Sequence, residues 1–299
     1  MRRIRAITLL SLVLVAVRAG AEENSVDSQK AWTLVGVGSV YAAATAIQIL
    51  QYYGPKSPHD YLTIESDGWF GSDTYAGGAD KLGHLWGNYA LTRGGAELLV
   101  AGGWSGLSAD IISASACFAF YTWSEVTDGY YGWGLSSSDM VMNAIGTGLG
   151  VVFRRWRGLD EAIDLRISYV PSPPFRELVS RKGYFGAGED YTGQTFLVGF
   201  HLKSIPQIRT SPSLRWLQYV DLTASYRTVD YKPIGANPRT LLYLGVSLNL
   251  QHVLRGLEGA PGGVARFAAE IWAPPYTWID LVGLERGGPV PTTGVRVEP

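Results

Sequence analysis

Residues 241–250 read LLYLGVSLNL, and Leu242, Leu244, Val246, Leu248 and Leu250 fall on one side of an extended chain. Alternation with a period of two marks a strand with unlike faces, because successive side chains of an extended backbone point to opposite sides. The same pattern runs through Thr195–Leu202, where Phe196, Val198, Phe200 and Leu202 share a face. Leu165–Val170 and Val220–Val229 carry weaker versions, with proline-rich or polar turns between them. The region after Asp160 is therefore expected to be an antiparallel, strand-rich one of four strands, and at most six. Alternation of this length also suits strands that face lipid, but the smallest common single-chain barrels have about eight. A sheet packed against helices is accordingly the preferred expectation.

Upstream of Asp160 the texture is helical. Ala31–Tyr53 contains no charged residue and is followed by Gly54-Pro55, which ends a helix. It is long enough to span a bilayer, yet Gly36, Gly38, three consecutive alanines and several polar residues suit close packing in a bundle equally well. Pro55–Gly78 reads as a loop, followed by helices over about Asp80–Val100, Gly106–Thr127 and Ser137–Trp156. The fold class is thus α+β: an amino-terminal bundle of about four apolar helices, then an antiparallel strand-rich region. The expected domains are a helical one over 22–158 and a strand-rich one over 159–299. Arg154, Arg155 and Arg157 close the last helix, where cations complement the helix dipole or meet anionic headgroups.

The chain opens with Arg2, Arg3 and Arg5, an apolar run Ile7–Val17 and Ala19-Gly20-Ala21. This is the three-part form of a secretory signal, with 1–21 as the segment removed. Taking four arginines from a chain of net charge −1 leaves about −5, and no basic stripe invites nucleic acid. Cys117 is the one cysteine in the sequence, flanked by Ala and Phe, so it reads as a packed apolar residue. With no cysteine after the apolar run, a lipid-anchored amino terminus is not expected. The expected location is the periplasm or outer membrane of a Gram-negative bacterium, associated with a membrane.

Ionisable groups are few in these helices, and three clusters of them stand out, because burying an uncompensated charge is costly. The first is Asp80, Lys81 and His84, with Asp80 and His84 one helical turn apart. The second is Glu125 with Asp128-Gly129, and the third Ser136 and Asp139 with Asn143 one turn on. Taken singly, Asp80 suits an N-cap, Ser136 and Asp139 a capping pair, and Asp128-Gly129 a turn. Caps do not account for His84, Glu125 and Asn143, which stand inside the helical pattern. If successive helices alternate in direction, all three clusters meet at one end of the bundle.

Together, Asp-Lys-x-x-His, Glu-x-x-Asp-Gly and Ser-x-x-Asp-x-x-x-Asn-x-x-Gly resemble the YfiM-like family of predicted periplasmic lipoproteins, and more distantly the VanZ-like membrane proteins. The residues that carry the resemblance are Asp80, Lys81, His84, Glu125, Asp128, Gly129, Ser136, Asp139, Asn143 and Gly146. The resemblance implies a helical envelope protein whose shared polar residues cluster, and it brings no reaction with it.

Two functions follow from such a cluster. In the first, Asp80, Lys81, His84, Glu125, Asp128, Ser136, Asp139 and Asn143 form a structural or binding network, with Lys81 pairing Asp128 or Asp139. In the second, His84, Asp80, Glu125, Asp128 and Asp139 hold a divalent metal, or His84 acts as a base with Asp80 and Lys81 as catalytic partners. That would make a hydrolase or transferase acting on an envelope lipid or glycan. The expected partner is a membrane surface or another envelope component. The residues alone do not decide between enzyme and non-enzyme.

Overall fold

The computed structural model describes residues 26–71, 74–182, 186–231, 238–285 and 288–290; the expected signal segment lies outside them. The chain forms two compact units, one comprising the chain up to Glu65 with Asn88–Ser136 and Asn143–Val151, the other Ser66–Gly87, Ser137–Met142 and Val152 onward.

The first unit is helical. α1 (Val26–Gln48) continues into a π-helical turn at Ile49–Tyr53, and α3 (Gly106–Asp128) is capped by Ser105, whose hydroxyl accepts from the Ser108 N–H. The carboxyl-terminal part of α2 (Ala79–Ala101) and the middle of α4 (Ser137–Arg155) complete it. Val37, Ala96, Leu99 and Ala109 form the core, with Tyr41, Leu98, Trp104 and Ile112 packed on it. Small residues set the helix spacing: a Cβ at Gly95 would stand 2.4 Å from Ser113 Oγ. A two-residue parallel pair, β1 (Ile64–Glu65) with β2 (Leu135–Ser136), ties the long loop to the turn before α4. The stretch Val26–Tyr53 is long and apolar enough to cross a membrane by length and composition, and little of it is buried.

The second unit is built on a six-stranded antiparallel sheet in sequential order: β3 (Ile163–Tyr169), β4 (Gln194–His201), β5 (Val220–Val229), β6 (Arg239–Leu248), β7 (Trp278–Glu285) and β8 (Gly288–Val290). Directly paired residues share a face, so the register sorts the side chains into rows. One face carries Ile163, Phe200, Leu222, Val246 and Ile279 in one row and Leu165, Val198, Ala224, Leu244 and Val282 in the next. The opposite face carries Asp164, Gly199, Thr223, Gly245 and Asp280, with Arg166, His201, Asp221 and Arg227 in neighbouring rows. Asp164, Arg166, His201, Asp221, Ser225 and Asp280 are buried, whereas Phe200, Leu222, Leu244 and Val282 are half exposed, at 50–54%. The sheet curls towards its polar face, since short side chains two strands apart meet there: Ser225 Oγ lies 2.9 Å from Asp280 Oδ1.

The α+β class and antiparallel sheet are as expected, and the helix and strand bounds lie within a few residues of those read from the sequence. β7 escaped that reading because a bulge opposite Leu244/Gly245 breaks its alternation, placing Leu281 and Val282 both on the exposed side. Helix α6 (Gly259–Ile271) was hidden by Gly259, Pro261, Gly262 and Gly263. Within its unit, the apolar face meets the start of α2 at one corner, where Phe196 and Ile167 join Ala76, Ala79, Leu82, Trp86 and Tyr191. Phe70, Gly77 and Tyr191 also lie against Tyr226, Thr240 and Thr228, and Phe200, Leu222, Leu244 and Val282 remain half exposed on that face.

Candidate functional site

The backbone around residue 77 builds the site. Ala76, Gly77 and Gly78 have φ of 51°, 64° and 88°, a left-handed run that reorients the chain just before α2 begins. Only glycine adopts this region without strain, and a Cβ on Gly78 would fall 2.3 Å from the Phe70 ring. The segment ending at Phe70 therefore lies directly against the start of α2. That close approach delivers Asp67, which the sequence reading missed, to Lys81.

Lys81 is fully buried on the first turn of α2. Its Nζ donates to Asp67 Oδ2, lies 2.8 Å from Asp139 Oδ1 on the first turn of α4, and 3.3 Å from Asp80 Oδ2. Ser138 Oγ donates to the other Asp67 oxygen at 2.9 Å. Asp80 Oδ1 accepts from Tyr191 Oη at 2.8 Å and stands 3.8 Å from His84 Nε2, the i, i+4 pair on α2. Asp67, Asp80 and His84 are the part that solvent reaches, with side chains 14%, 14% and 18% exposed.

Electrostatics divides the carboxylates. Burial pushes Asp80 up, but His84, Lys81 and the Tyr191 hydroxyl together bring it below the usual carboxylate range. Burial and the neighbouring Asp80 charge push Asp139 up to about 6, against the pull of His84 and Lys81. Burial opposes the charge of Lys81, yet Asp80 and Asp139 hold it above the ordinary lysine value. The ammonium is thus a permanent cation at neutral pH. Burial and the adjacent Asp80 raise Tyr191 well above a free tyrosine, so it stays a donor.

The remaining sequence candidates lie in the helical unit. Glu125 is buried on α3 and its Oε2 accepts the Ser136 N–H at 3.3 Å; Asp128 accepts from Tyr53 Oη at 2.9 Å. Asn143 is buried on α4, where its Oδ1 accepts from Asn88 Nδ2 at 2.7 Å, and Asn88 Oδ1 in turn accepts from Thr147 Oγ1 at 3.0 Å. Cys117 is buried beside the same asparagine, at 3.4 Å. Asp80, Lys81, His84 and Asp139 are therefore brought together in the sheet-containing unit, and Glu125, Asp128, Ser136 and Asn143 belong to the other.

A second polar group sits on the enclosed face of the sheet. Arg166 lies 2.8 Å from Asp164 and 2.9 Å from Asp221, whose other oxygen is 2.7 Å from His201 Nδ1 and accepts from Asn249 Nδ2 at 2.8 Å. Gly199 makes room for it, since a Cβ there would overlap Arg166 and Asp164 at 1.9–2.3 Å. His201, the last residue of β4, is buried among these partners. The available signal was the alternation itself, which puts Asp164 with Arg166, and Asp221, on the side opposite the apolar rows. Nothing in the sequence marked Tyr191.

With this geometry in place, the comparisons bear on the amino-terminal part. Residues 66–155 match the family model described as predicted periplasmic lipoprotein (DUF2279). The matched stretch holds the Lys81 cluster and ends before β3, so the six-stranded sheet lies outside it. No curated protein and no solved structure matches the chain. On the family match, the chain is an exported protein of the bacterial cell envelope.

Proposed function

We propose that this chain is a membrane-associated envelope protein in which the Lys81 cluster is a structural network that clamps the starts of α2 and α4 to the loop at Asp67. The observation that carries this reading is the position of Lys81 Nζ, in contact with Asp67, 2.8 Å from Asp139 and 3.3 Å from Asp80. A buried ammonium already meets the carboxylates that a metal would need, and its three donors match three acceptors. The likeness of the same residues to YfiM-like and VanZ-like proteins supports an envelope role without implying a reaction.

A metal-dependent hydrolase or transferase is the second reading, favoured by one observation. Asp80, His84 and Asp139 each offer a ligand atom, all within 4.8 Å of one another. Ligands of a tetrahedral zinc ion at about 2.0–2.2 Å stand about 3.4 Å apart, so the three side chains would have to close in around the ion. Lys81 and that ion would then share Asp80 and Asp139, and the two cations would repel each other across them. His84→Ala and Asp139→Ala, with metal analysis of the purified protein, separate the two readings. The network reading expects no stoichiometric metal and a loss of stability of a few kcal/mol for Asp139→Ala; bound metal with both variants as stable as the parent would overturn it.

A further inference from the structure

A water-soluble antiparallel sheet with unlike faces normally buries its apolar side and shows the polar one to water. Here the arrangement is reversed. Over β3–β7 the outward positions carry no Asp, Glu, Lys, Arg or His, while Asp164, Arg166, His201, Asp221, Arg227 and Asp280 are all turned to the enclosed side. Asp164, Arg166, His201 and Asp221 are paired with one another there. Among the described residues, the apolar side is covered at one end only, where Ile167 and Phe196 join the core at the start of α2 and Phe70, Gly77 and Tyr191 lie against Tyr226, Thr240 and Thr228. In water this would expose several contiguous rows of aliphatic and aromatic side chains, far more than the scattered surface apolar residues of a soluble protein.

From this reversal we infer that the outward face of β3–β7 is covered by lipid acyl chains. Three further observations favour lipid over a protein partner. The central strands β5 and β6 are ten residues long, which suits the 9–11 residues of a tilted membrane strand. Aromatic side chains flank the apolar rows at one end: Trp216 and Tyr219 lie just before β5 and Tyr276 just before β7, with Trp216 and Tyr276 over 60% exposed. Tryptophan and tyrosine in this position suit the headgroup region, where an apolar ring carries a polar edge. Finally, the rows extend across five neighbouring strands without a polar rim between them, whereas a protein interface of that breadth carries interspersed hydrogen-bonding groups. This inference deepens the membrane association proposed above and is independent of the Lys81 network.

The test uses the full chain reconstituted in vesicles of phosphatidylethanolamine and phosphatidylglycerol, with single cysteines at Phe200, Leu222 or Leu244 carrying a nitroxide label. Cys117 is buried and the parent chain serves as the labelling blank; Glu177→Cys, on the exposed helix α5 (Pro173–Lys182), is the water-facing reference. Lipid contact gives an oxygen-to-nickel-chelate accessibility ratio severalfold higher at the three sheet positions than at Glu177. Access for the nickel chelate, or access for neither reagent because protein covers the face, overturns the inference. If the vesicles still carry the protein in either case, membrane association stands and this face is not its cause. Crosslinking of the unsubstituted chain to a lipid bearing a diazirine in its acyl chain needs no variant to fold. Adducts on 196–200 and 242–248 are expected, and their absence from both segments counts against lipid contact.

Discussion

Replacing Lys81 by methionine keeps most of the side chain's length and removes its charge. Three carboxylates then face one another in a site from which water is largely excluded, and removing one partner of a buried ion pair typically costs about 3–5 kcal/mol. Denaturant unfolding of Lys81→Met in detergent should show a loss of that size, and a change within 1 kcal/mol would mean the cluster is not buried as described. Asp139 gives a pH signature. Its value of about 6 exceeds the ordinary aspartate value of 3.8, so the folded state holds an extra proton between those limits. Asp139 therefore lowers stability as pH rises through that window, by up to roughly 3 kcal/mol. Asp80 runs the other way: held below the usual range, it contributes stability at neutral pH that is lost only as pH falls beneath that range. Asp139→Asn should flatten the decline between about pH 4 and 6 when unfolding midpoints are compared across it. Asp80, Lys81, His84 and Asp139 were legible in the sequence because ionisable groups inside apolar helices require partners. Asp67 was not, since its approach depends on a left-handed backbone run that only the folded chain shows.

At the level of elements, the Ala76-Gly77-Gly78 reversal is what couples the loop to α2. A methyl group at Gly78 meets both a φ of 88° and the Phe70 ring at 2.3 Å. Gly78→Ala should lose on the order of 1–3 kcal/mol, visible as a lowered unfolding midpoint, while Gly263→Ala, at a helical position with open space around it, should be neutral or slightly stabilising. Helices α2, α3 and α4 could be read from the sequence because long apolar segments between glycine-rich turns leave few alternatives. The long strands β4, β5 and β6 were readable for the same kind of reason, their period of two persisting over eight to ten residues. β7 was not, because its bulge shifts the phase midway, and neither was α6, whose glycines and proline resemble a loop. The alternation in LLYLGVSLNL identifies a strand but leaves open which face is enclosed; that was settled by the polar side chains of β3 and β5.

Each unit, taken by itself, exposes one extended apolar surface among its described residues, as expected where part of the surrounding medium is hydrocarbon. Val26–Tyr53 and the outward face of the sheet, each considered in its own unit, share this character. The paired charges Arg166–Asp221 and Lys81–Asp139 are buried in such a setting without cost to solubility, since each has its counter-charge within 3 Å. Fractionation of cells that make the full chain tests this distribution most directly. The account predicts that the protein sediments with envelope membranes, resists extraction by alkaline carbonate and is released by detergent. Recovery in the soluble fraction released by osmotic shock, stable and monodisperse without detergent, would contradict it.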